Sequence, residues 1–184
     1  MPTTPEQRAQ IKQVLWPESS PTSRSGVWAV LDCARDPQIY PALQESRLEF
    51  RCLYSGALPR ELERVAPQLV ELLPDHRLTQ RLIDAGWGRA WGVFVKIDDP
   101  SNLRHHLRRF LEVQDEEGRR LVFRYYDPRV LRAYLPSCTP EELDTLFGPL
   151  DAYLAEGADG DALIEFSRRG AQLVQRRHVL TAVT

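Results

Sequence analysis

The sequence predicts an α/β fold: an open mixed sheet with helices packed on it and a small C-terminal extension. The main indication is a corner that occurs three times, in which an apolar run ends at or near Asp-Pro and a helical pattern follows. The three pairs are Asp36-Pro37, Asp99-Pro100 and Asp127-Pro128. Each pair marks a boundary, because the residue before a proline is sterically pushed out of the α region. Strands that lead into helices through short turns are typical of α/β proteins.

The clearest of these corners follows the apolar and aromatic run 121–126, which is typical of a buried or half-buried strand. Asp127 then stands where its carboxylate can accept the free N–H groups of a new helix. Pro128 occupies the first helical position, where a missing N–H does no harm. Arg124 and Arg129 flank the aspartate and are placed to pair with it. These four residues are therefore predicted to form a structural motif rather than a catalytic site.

The chain divides into three predicted regions. Residues 1–26 combine an amphipathic helix, which starts with a capping box at residues 4–7, with a Ser/Pro-rich linker. Residues 27–150 form the α/β domain, and residues 151–184 form the C-terminal extension. Because an isolated helix of about a dozen residues is marginal in water, the N-terminal helix needs a surface to rest on. That surface is either the protein's own core or a partner's groove.

Apolar periodicity places the main elements of the α/β domain. Strands are predicted at residues 27–31, 50–54, 90–97 and 121–126, and helices at residues 37–46, 77–85, 100–111 and 139–147. Residues 68–73 fit either a strand or a continuation of the preceding segment. Beyond residue 150 the pattern favours a hairpin about residues 157–160. The last stretch, 172–183, fits a helix or a strand equally well.

Composition limits the classes of partner. The chain has 24 Lys+Arg against 26 Asp+Glu, so its overall charge does not favour nucleic acid. No apolar run approaches the length of a membrane span, and the N-terminus lacks the pattern of a signal peptide. The three cysteines are odd in number and widely spaced, which favours buried, inert thiols in a reducing compartment. The sequence therefore predicts a cytoplasmic protein.

The sequence contains no convincing catalytic or cofactor-binding motif. Asp32 closes a strand, but it lacks the second carboxylate that a phosphoryl-transfer site would place two residues later. The glycine-rich segment 86–92 ends a helix and opens a strand, whereas a dinucleotide loop follows a strand and opens a helix. His105 and His106 are neighbours and point about 100° apart on a helix, so they cannot chelate one metal. We predict no catalytic, cofactor-binding or metal-binding residues.

Two groups of basic residues are candidates for protein binding. The first lies on the polar face of the predicted helix 100–111, opposite its apolar stripe, and comprises Arg104, Arg108 and Arg109 together with His105 and His106. The second comprises Arg168, Arg169, Arg176 and Arg177. A basic helical face is usually a solvated one; the alternative is an acidic protein partner. A nucleic-acid-binding function would need both groups to form one continuous patch.

Several segments, taken in order, resemble one protein family. They are Trp28-Ala-Val-Leu-Asp-Cys-Ala-Arg35, Leu53-Tyr-Ser-Gly56, Val65-Ala-Pro-Gln-Leu-Val70, Gly86-Trp-Gly88 and Phe123-Arg-Tyr-Tyr-Asp-Pro-Arg-Val-Leu131. The chain resembles, over about residues 27–150, the type VI secretion effector adaptors, also called effector chaperones, which are encoded beside the valine-glycine-repeat (VgrG) spike and its toxins. The arginine, aromatic, Asp-Pro-Arg corner is the most specific part of this resemblance.

The resemblance implies a non-enzymatic cytoplasmic adaptor. Such a protein holds a cognate effector and promotes its loading onto the VgrG spike, and no catalytic residues are implied. The implied partners are the effector and the spike. Charge, hydropathy and the lack of cofactor motifs predict no nucleic acid, no membrane span and no cofactor. The alternative function is a small α/β hydrolase or phosphotransferase of unknown substrate, which would need a pocket with converging carboxylates or an activated nucleophile.

Overall fold

The computed structural model describes residues 3–17, 26–114 and 117–181. The helices in these residues are α1 (Pro5–Leu15), α2 (Ile39–Ser46), α3 (Arg60–Val65), α4 (Arg77–Arg81), α5 (Leu103–Arg108), α6 (Pro128–Tyr134) and α7 (Pro140–Phe147). The strands are β1 (Gly26–Asp32), β2 (Phe50–Cys52), β3 (Pro67–Leu72), β4 (Gly92–Ile97), β5 (Glu112–Gln114), β6 (Arg120–Val122), β7 (Ala152–Glu156), β8 (Ala162–Arg169) and β9 (Gln172–Val179). None of these helices has the length and apolar content that crossing a bilayer requires.

Seven of the described strands form one open sheet, in the order β2-β3-β1-β4-β7-β8-β9, and helices pack around it. The predicted α/β class is thereby confirmed. Every pairing between neighbouring described strands is antiparallel. Strands β1 and β2, which α2 connects, run in the same direction, but β3 lies between them. The strand–helix corners therefore do not produce parallel neighbours.

Both faces of the sheet are covered, so the fold has three layers. One face carries α5, α6 and α7 over a core that includes Val93, Val95 and Phe166. The other face carries α1, α2 and α4 over a core that includes Ala29, Val70 and Leu154. Strand β7 is buried along its whole length because helices or loops cover it on both sides. A strand buried on both faces reads as a continuous apolar run, and the sequences of β1 and β4 have this pattern.

The N-terminal helix α1 rests on the protein's own core. The capping box between Thr4 and Gln7 is present, and Ile11 and Leu15 are 0% and 1% exposed. At the end of the helix the Lys96 ammonium of β4 donates a hydrogen bond to the Val14 carbonyl at 2.7 Å. Such a bond satisfies a carbonyl that has no partner within the helix. The predicted linker lies mostly outside the described residues.

The predicted strand 121–126 is wrong in extent and in place. The observed strand β6 pairs only with β5, in a separate two-stranded hairpin. The chain then leaves the ladder, and the ring of Tyr125 becomes fully buried while its hydroxyl donates to the Leu107 carbonyl at 3.0 Å. Tyr125 and Tyr126 are buried in the core together with residues of α5 and α6. The apolar character of this segment therefore reflects burial of its side chains and not strand pairing. Residues 115 and 116, which lie between β5 and β6 in the sequence, are outside the described residues.

The predicted C-terminal extension contributes β7, β8 and β9 to the main sheet. The hairpin about residues 157–160 joins β7 to β8, as predicted. The stretch 172–183, which fitted a helix or a strand, contains β9, whose eight residues pair with β8. At the end of β9, Thr181 exchanges two hydrogen bonds with the side chain of Gln10 on α1. The two ends of the described chain therefore support each other.

His106 does not belong to a solvated basic face. It is 7% exposed, its Nε2–H donates to the Leu146 carbonyl at 2.9 Å, and its ring packs edge-on against Phe110. The predicted helix 100–111 is shorter and begins with a 3-10 turn, Pro100–Asn102. His106 lies three residues after Leu103 and four before Phe110, and this helical spacing puts it beside the apolar stripe. Burial lowers the pKa of His106 below its ordinary value of 6.5.

Replacing His106 with glutamine should make the free energy of unfolding less dependent on pH below about pH 6.5. In the folded protein the pKa of His106 lies below 6.5, so the unfolded chain takes up the proton first as the pH falls. The free energy of unfolding should therefore keep its full value above about pH 6.5 and decrease as the pH falls below about 6.5. Urea unfolding of wild type and His106→Gln at pH 7.5 and pH 5.5 measures this. The variant should lose less stability on acidification; equal losses would contradict a buried neutral imidazole.

Candidate functional site

A cluster of buried carboxylates, with partly exposed arginines beside them, lies at one edge of the sheet. Strands β1 and β7 are each antiparallel to β4, so they run in the same direction and end at the same edge. Asp32 closes β1 and Glu156 closes β7. Helix α6 begins nearby at Asp127, and its Arg132 donates a hydrogen bond to the Glu156 carbonyl. The ends of β1 and β7 and the start of α6 therefore meet at this edge of the sheet.

Asp32 pairs with Arg124, which lies 92 residues away in the sequence. The Asp32 side chain is 2% exposed, and the Arg124 side chain is 43% exposed. The other carboxylate oxygen of Asp32 accepts the backbone N–H of Ala34 at 3.2 Å. The hydrogen bond to Asp32 raises the pKa of Arg124, so the guanidinium stays charged. Arg124 therefore ties the corner before α6 to the end of β1, and its predicted pairing with Asp127 is replaced by this longer-range contact.

Asp127 is the N-cap of α6 and also pairs with Arg129. Its Oδ1 accepts the backbone N–H and the Nε–H of Arg129, both at 2.9 Å, and its Oδ2 accepts Nη2–H at 2.6 Å. Burial alone would raise the pKa of Asp127, but these hydrogen bonds outweigh it and hold the pKa below its usual value. Pro128 stands at the first helical position. The local motif thus has the geometry of a capped and clamped helix start.

Replacing Asp127 with alanine should lower the free energy of unfolding by about 1 kcal/mol, the usual cost of losing an N-cap. The loss should be modest because Arg129 is mostly exposed and can be solvated once its partner is gone. Thermal and urea unfolding of Asp127→Ala, with Asp127→Asn as a variant that retains a capping oxygen, measures it. A wild-type melting temperature together with complete loss of function would instead indicate a direct role for this carboxylate.

Glu156 holds the glycine-rich segment 86–92. Its two carboxylate oxygens accept the backbone N–H groups of Gly88 at 2.6 Å and Ala90 at 2.8 Å. Ala90 has φ +55°, a conformation that a non-glycine residue needs surrounding contacts to maintain. At Gly92 an added Cβ would overlap the Val30 carbonyl oxygen. The segment is therefore a helix end and strand start held by a carboxylate, and the geometry is not that of a phosphate-binding loop.

Asp36 performs a similar role at the first Asp-Pro corner. Its Oδ2 accepts hydrogen bonds from Arg89 at 2.5 Å and from the indole of Trp91 at 3.2 Å, while its Oδ1 accepts the N–H of Gln38. Each of the four buried carboxylates at this edge thus accepts hydrogen bonds from neighbouring N–H donors. Among the described residues, no group of three or more His, Cys, Asp or Glu is placed to hold a metal ion.

The first predicted basic group is divided by the fold. Arg104 donates from Nε to the Cys52 carbonyl at 2.8 Å and from Nη2 to the Tyr54 carbonyl at 3.2 Å, so it fixes the segment after β2. Arg108 and Arg109 instead line an open groove of about 500 Å³ beside the β5–β6 hairpin. Within the described residues, neither of these two guanidinium groups forms an ion pair. Only part of the predicted surface is therefore free to bind a partner.

The second predicted basic group lies on β8 and β9 and is divided between the two faces of the sheet. Arg168 pairs with Asp144 at 2.7 Å and lies over the Phe147 ring, on the α7 side. Arg177 is opposite Ile164 on that same side and pairs with Asp161 at 2.5 Å. Arg169 and Arg176 point to the other side and are exposed. These four residues therefore do not form one continuous basic patch.

A family model described as "Domain of unknown function (DUF4123)" matches residues 27–145, which is more than half of the chain. The chain belongs to the DUF4123 family. No curated protein and no solved structure matches it. The DUF4123 region contains Asp32, Arg124, Asp127 and the groove beside the hairpin.

The DUF4123 region does not coincide with a closed structural unit. It includes the first four strands of the main sheet and the β5–β6 hairpin, but it ends within α7. Strands β7, β8 and β9 complete the sheet beyond that point, and β7 lies between β4 and β8. Glu156, which holds the glycine-rich segment of the DUF4123 region, lies outside the match. The cluster of buried carboxylates therefore contains residues from both sides of the family boundary.

Proposed function

We propose that this protein is a non-enzymatic cytoplasmic adaptor that binds a cognate type VI secretion effector and promotes its loading onto the VgrG spike. The DUF4123 match over residues 27–145 carries this proposal, because that family is associated with type VI secretion effector adaptors. The match includes the arginine, aromatic, Asp-Pro-Arg corner on which the resemblance to these adaptors is strongest. In this proposal, the corner at Asp127 stabilises the fold of the adaptor and does not take part in chemistry.

The chemistry of the sheet edge supports a binding role over a catalytic one. A general base needs a free lone pair within reach of a substrate proton. At this edge Asp32 and Asp127 are committed to arginine partners, and Glu156 is committed to two backbone N–H groups. All three are less than 10% exposed. The carboxylates act here as structural acceptors.

Reconstitution with the neighbouring gene products tests the adaptor function. The full chain is tagged and co-expressed with each inactivated toxin and each VgrG protein encoded beside it, and complexes are isolated by affinity capture and size exclusion. We expect a stable complex with one toxin, and a ternary complex when the matching spike is added. Capture of none of the toxins, together with turnover of small ester or phosphate substrates by the purified chain, would favour the alternative hydrolase or phosphotransferase.

A further inference from the structure

The groove beside the hairpin lies between two distinct walls. One wall is the segment after β2, which contributes Leu53, Tyr54 and Ser55. The other comprises the end of α5 and the consecutive residues 111–114, which include all of β5. A groove over the face of a strand would be lined by alternate residues, because side chains alternate between faces. Lining by consecutive residues indicates that the groove follows the edge of β5.

The hydrogen-bond register shows which backbone groups face this edge. The Phe123 N–H donates to the Leu111 carbonyl at 2.9 Å, so the pair Glu112–Val122 is a non-hydrogen-bonded pair of the ladder. Val113 and Leu121 then exchange the ladder bonds. The N–H and C=O groups of Glu112 and Gln114 consequently point away from β6, and both residues are exposed. An exposed edge of this kind can pair with an added strand.

The charge of the groove is positive. Arg108 and Arg109 lie at the end of α5 without ion pairs among the described residues, and Arg120 reaches across from β6. Arg120 lies 3.7 Å from Glu112 in an ion pair whose two side chains are largely exposed. Three arginines therefore face one carboxylate. Edge-to-edge pairing of two copies of this chain would bring the same arginines together, which is unfavourable.

We propose that this groove binds an extended acidic peptide segment, which adds a strand to the free edge of β5 and places its carboxylates against Arg108, Arg109 and Arg120. The backbone groups of Glu112 and Gln114 supply the strand pairing, and the arginines supply the preference for acidic side chains. Within the proposed adaptor function, this is the chemistry of the effector segment that the protein holds; only the identity of the partner rests on that function.

A peptide assay with the full chain tests the charge preference. The probe is a fluorescein-labelled decapeptide in which glutamate alternates with threonine, and its control carries lysine in place of glutamate. Fluorescence anisotropy should show binding of the glutamate peptide only. The dissociation constant should rise about tenfold or more in Arg108→Glu/Arg109→Glu. A tenfold rise corresponds to about 1.4 kcal/mol of binding free energy. The matched variant Arg169→Glu/Arg176→Glu makes the same change of charge on exposed residues of β8 and β9, and should bind as wild type.

Two further peptides test the strand pairing. One is N-methylated at every glutamate and the other at every threonine, so each blocks one edge of the extended peptide. Only one of the two should lose binding, and which one it is reports the direction of the added strand. Equal weakening by both pairs of arginine substitutions, or unchanged binding of both methylated peptides, would overturn the proposal. So would binding of an oligothymidylate, but not the peptide, at the same arginines.

Two controls separate this proposal from the adaptor function and from misfolding. Circular dichroism melting should show that Arg108→Glu/Arg109→Glu is folded, and Arg108→Gln/Arg109→Gln provides a milder variant for the same binding measurement. The peptide assay contains no effector, so its failure overturns the groove assignment alone. Peptide binding without capture of any neighbouring toxin would instead contradict the adaptor function and leave the groove assignment standing.

Discussion

Replacing Ile11 and Leu15 with alanine should remove on the order of 5 kcal/mol from the free energy of unfolding, because truncating a buried Leu or Ile to Ala costs about 2–5 kcal/mol. Both side chains are 1% exposed or less and pack between α1 and the sheet. A loss of this size is comparable with the whole stability of a small domain. Urea unfolding of the double variant, followed by circular dichroism, measures it.

The matched control for this prediction is Gln13→Ala on the exposed side of the same helix. That substitution should change the free energy of unfolding by less than about 0.5 kcal/mol. If Ile11→Ala/Leu15→Ala were as stable as wild type but captured no effector, α1 would dock into a partner's groove and not onto this protein's core. Loss of stability in the double variant, with the control unaffected, supports docking on the core.

Replacing Arg124 with methionine should cost about 2 kcal/mol of unfolding free energy. Breaking a buried ion pair by removing one partner costs about 3–5 kcal/mol, and the smaller value here reflects the partial exposure of Arg124. The cost arises because the carboxylate of Asp32, which is 1% exposed, would lose its guanidinium partner. Denaturant unfolding at neutral pH measures the change.

A second substitution distinguishes the charge of Asp32 from the packing of Arg124. Adding Asp32→Asn to Arg124→Met removes the unpaired charge and keeps an acceptor for the Ala34 N–H, so stability should partly recover. The control Arg51→Met removes a pair whose two side chains are both mostly exposed and should change stability by less than about 1 kcal/mol. Equal effects of Arg124→Met and Arg51→Met would mean that the corner contributes no more than a surface pair.

The sequence predicted the features that depend on neighbours in the chain. The capping box of α1 and the Asp127 cap with its Arg129 clamp each involve residues within three positions, so local chemistry specifies them. The α/β class followed from repeated strand–helix corners for the same reason. Local prediction failed at residues 121–126, where aromatic side chains anchor an irregular segment and apolar character alone does not distinguish this from a strand.

The contacts that join distant segments could not be predicted from the sequence. The pairing of Asp32 with Arg124 and the contact of Glu156 with the glycine-rich segment both depend on the order of strands in the sheet. The hydrogen bond of His106 to the Leu146 carbonyl also joins distant segments, because α7 lies forty residues further along the chain. The face of His106 was predicted wrongly for a different reason: its polar side chain was given more weight than its spacing from Leu103 and Phe110. The free edge of β5 depends on ladder register, which apolar patterning does not specify in an exposed three-residue strand.

Secretion in cells that carry the matching effector and VgrG spike tests the adaptor function most directly. The gene for this chain is deleted, and the effector and the spike are measured separately in the culture medium. The adaptor function predicts that effector export falls to background while spike export continues, and that the wild-type chain restores effector export. Undiminished export of every neighbouring effector in the deletion strain would contradict it.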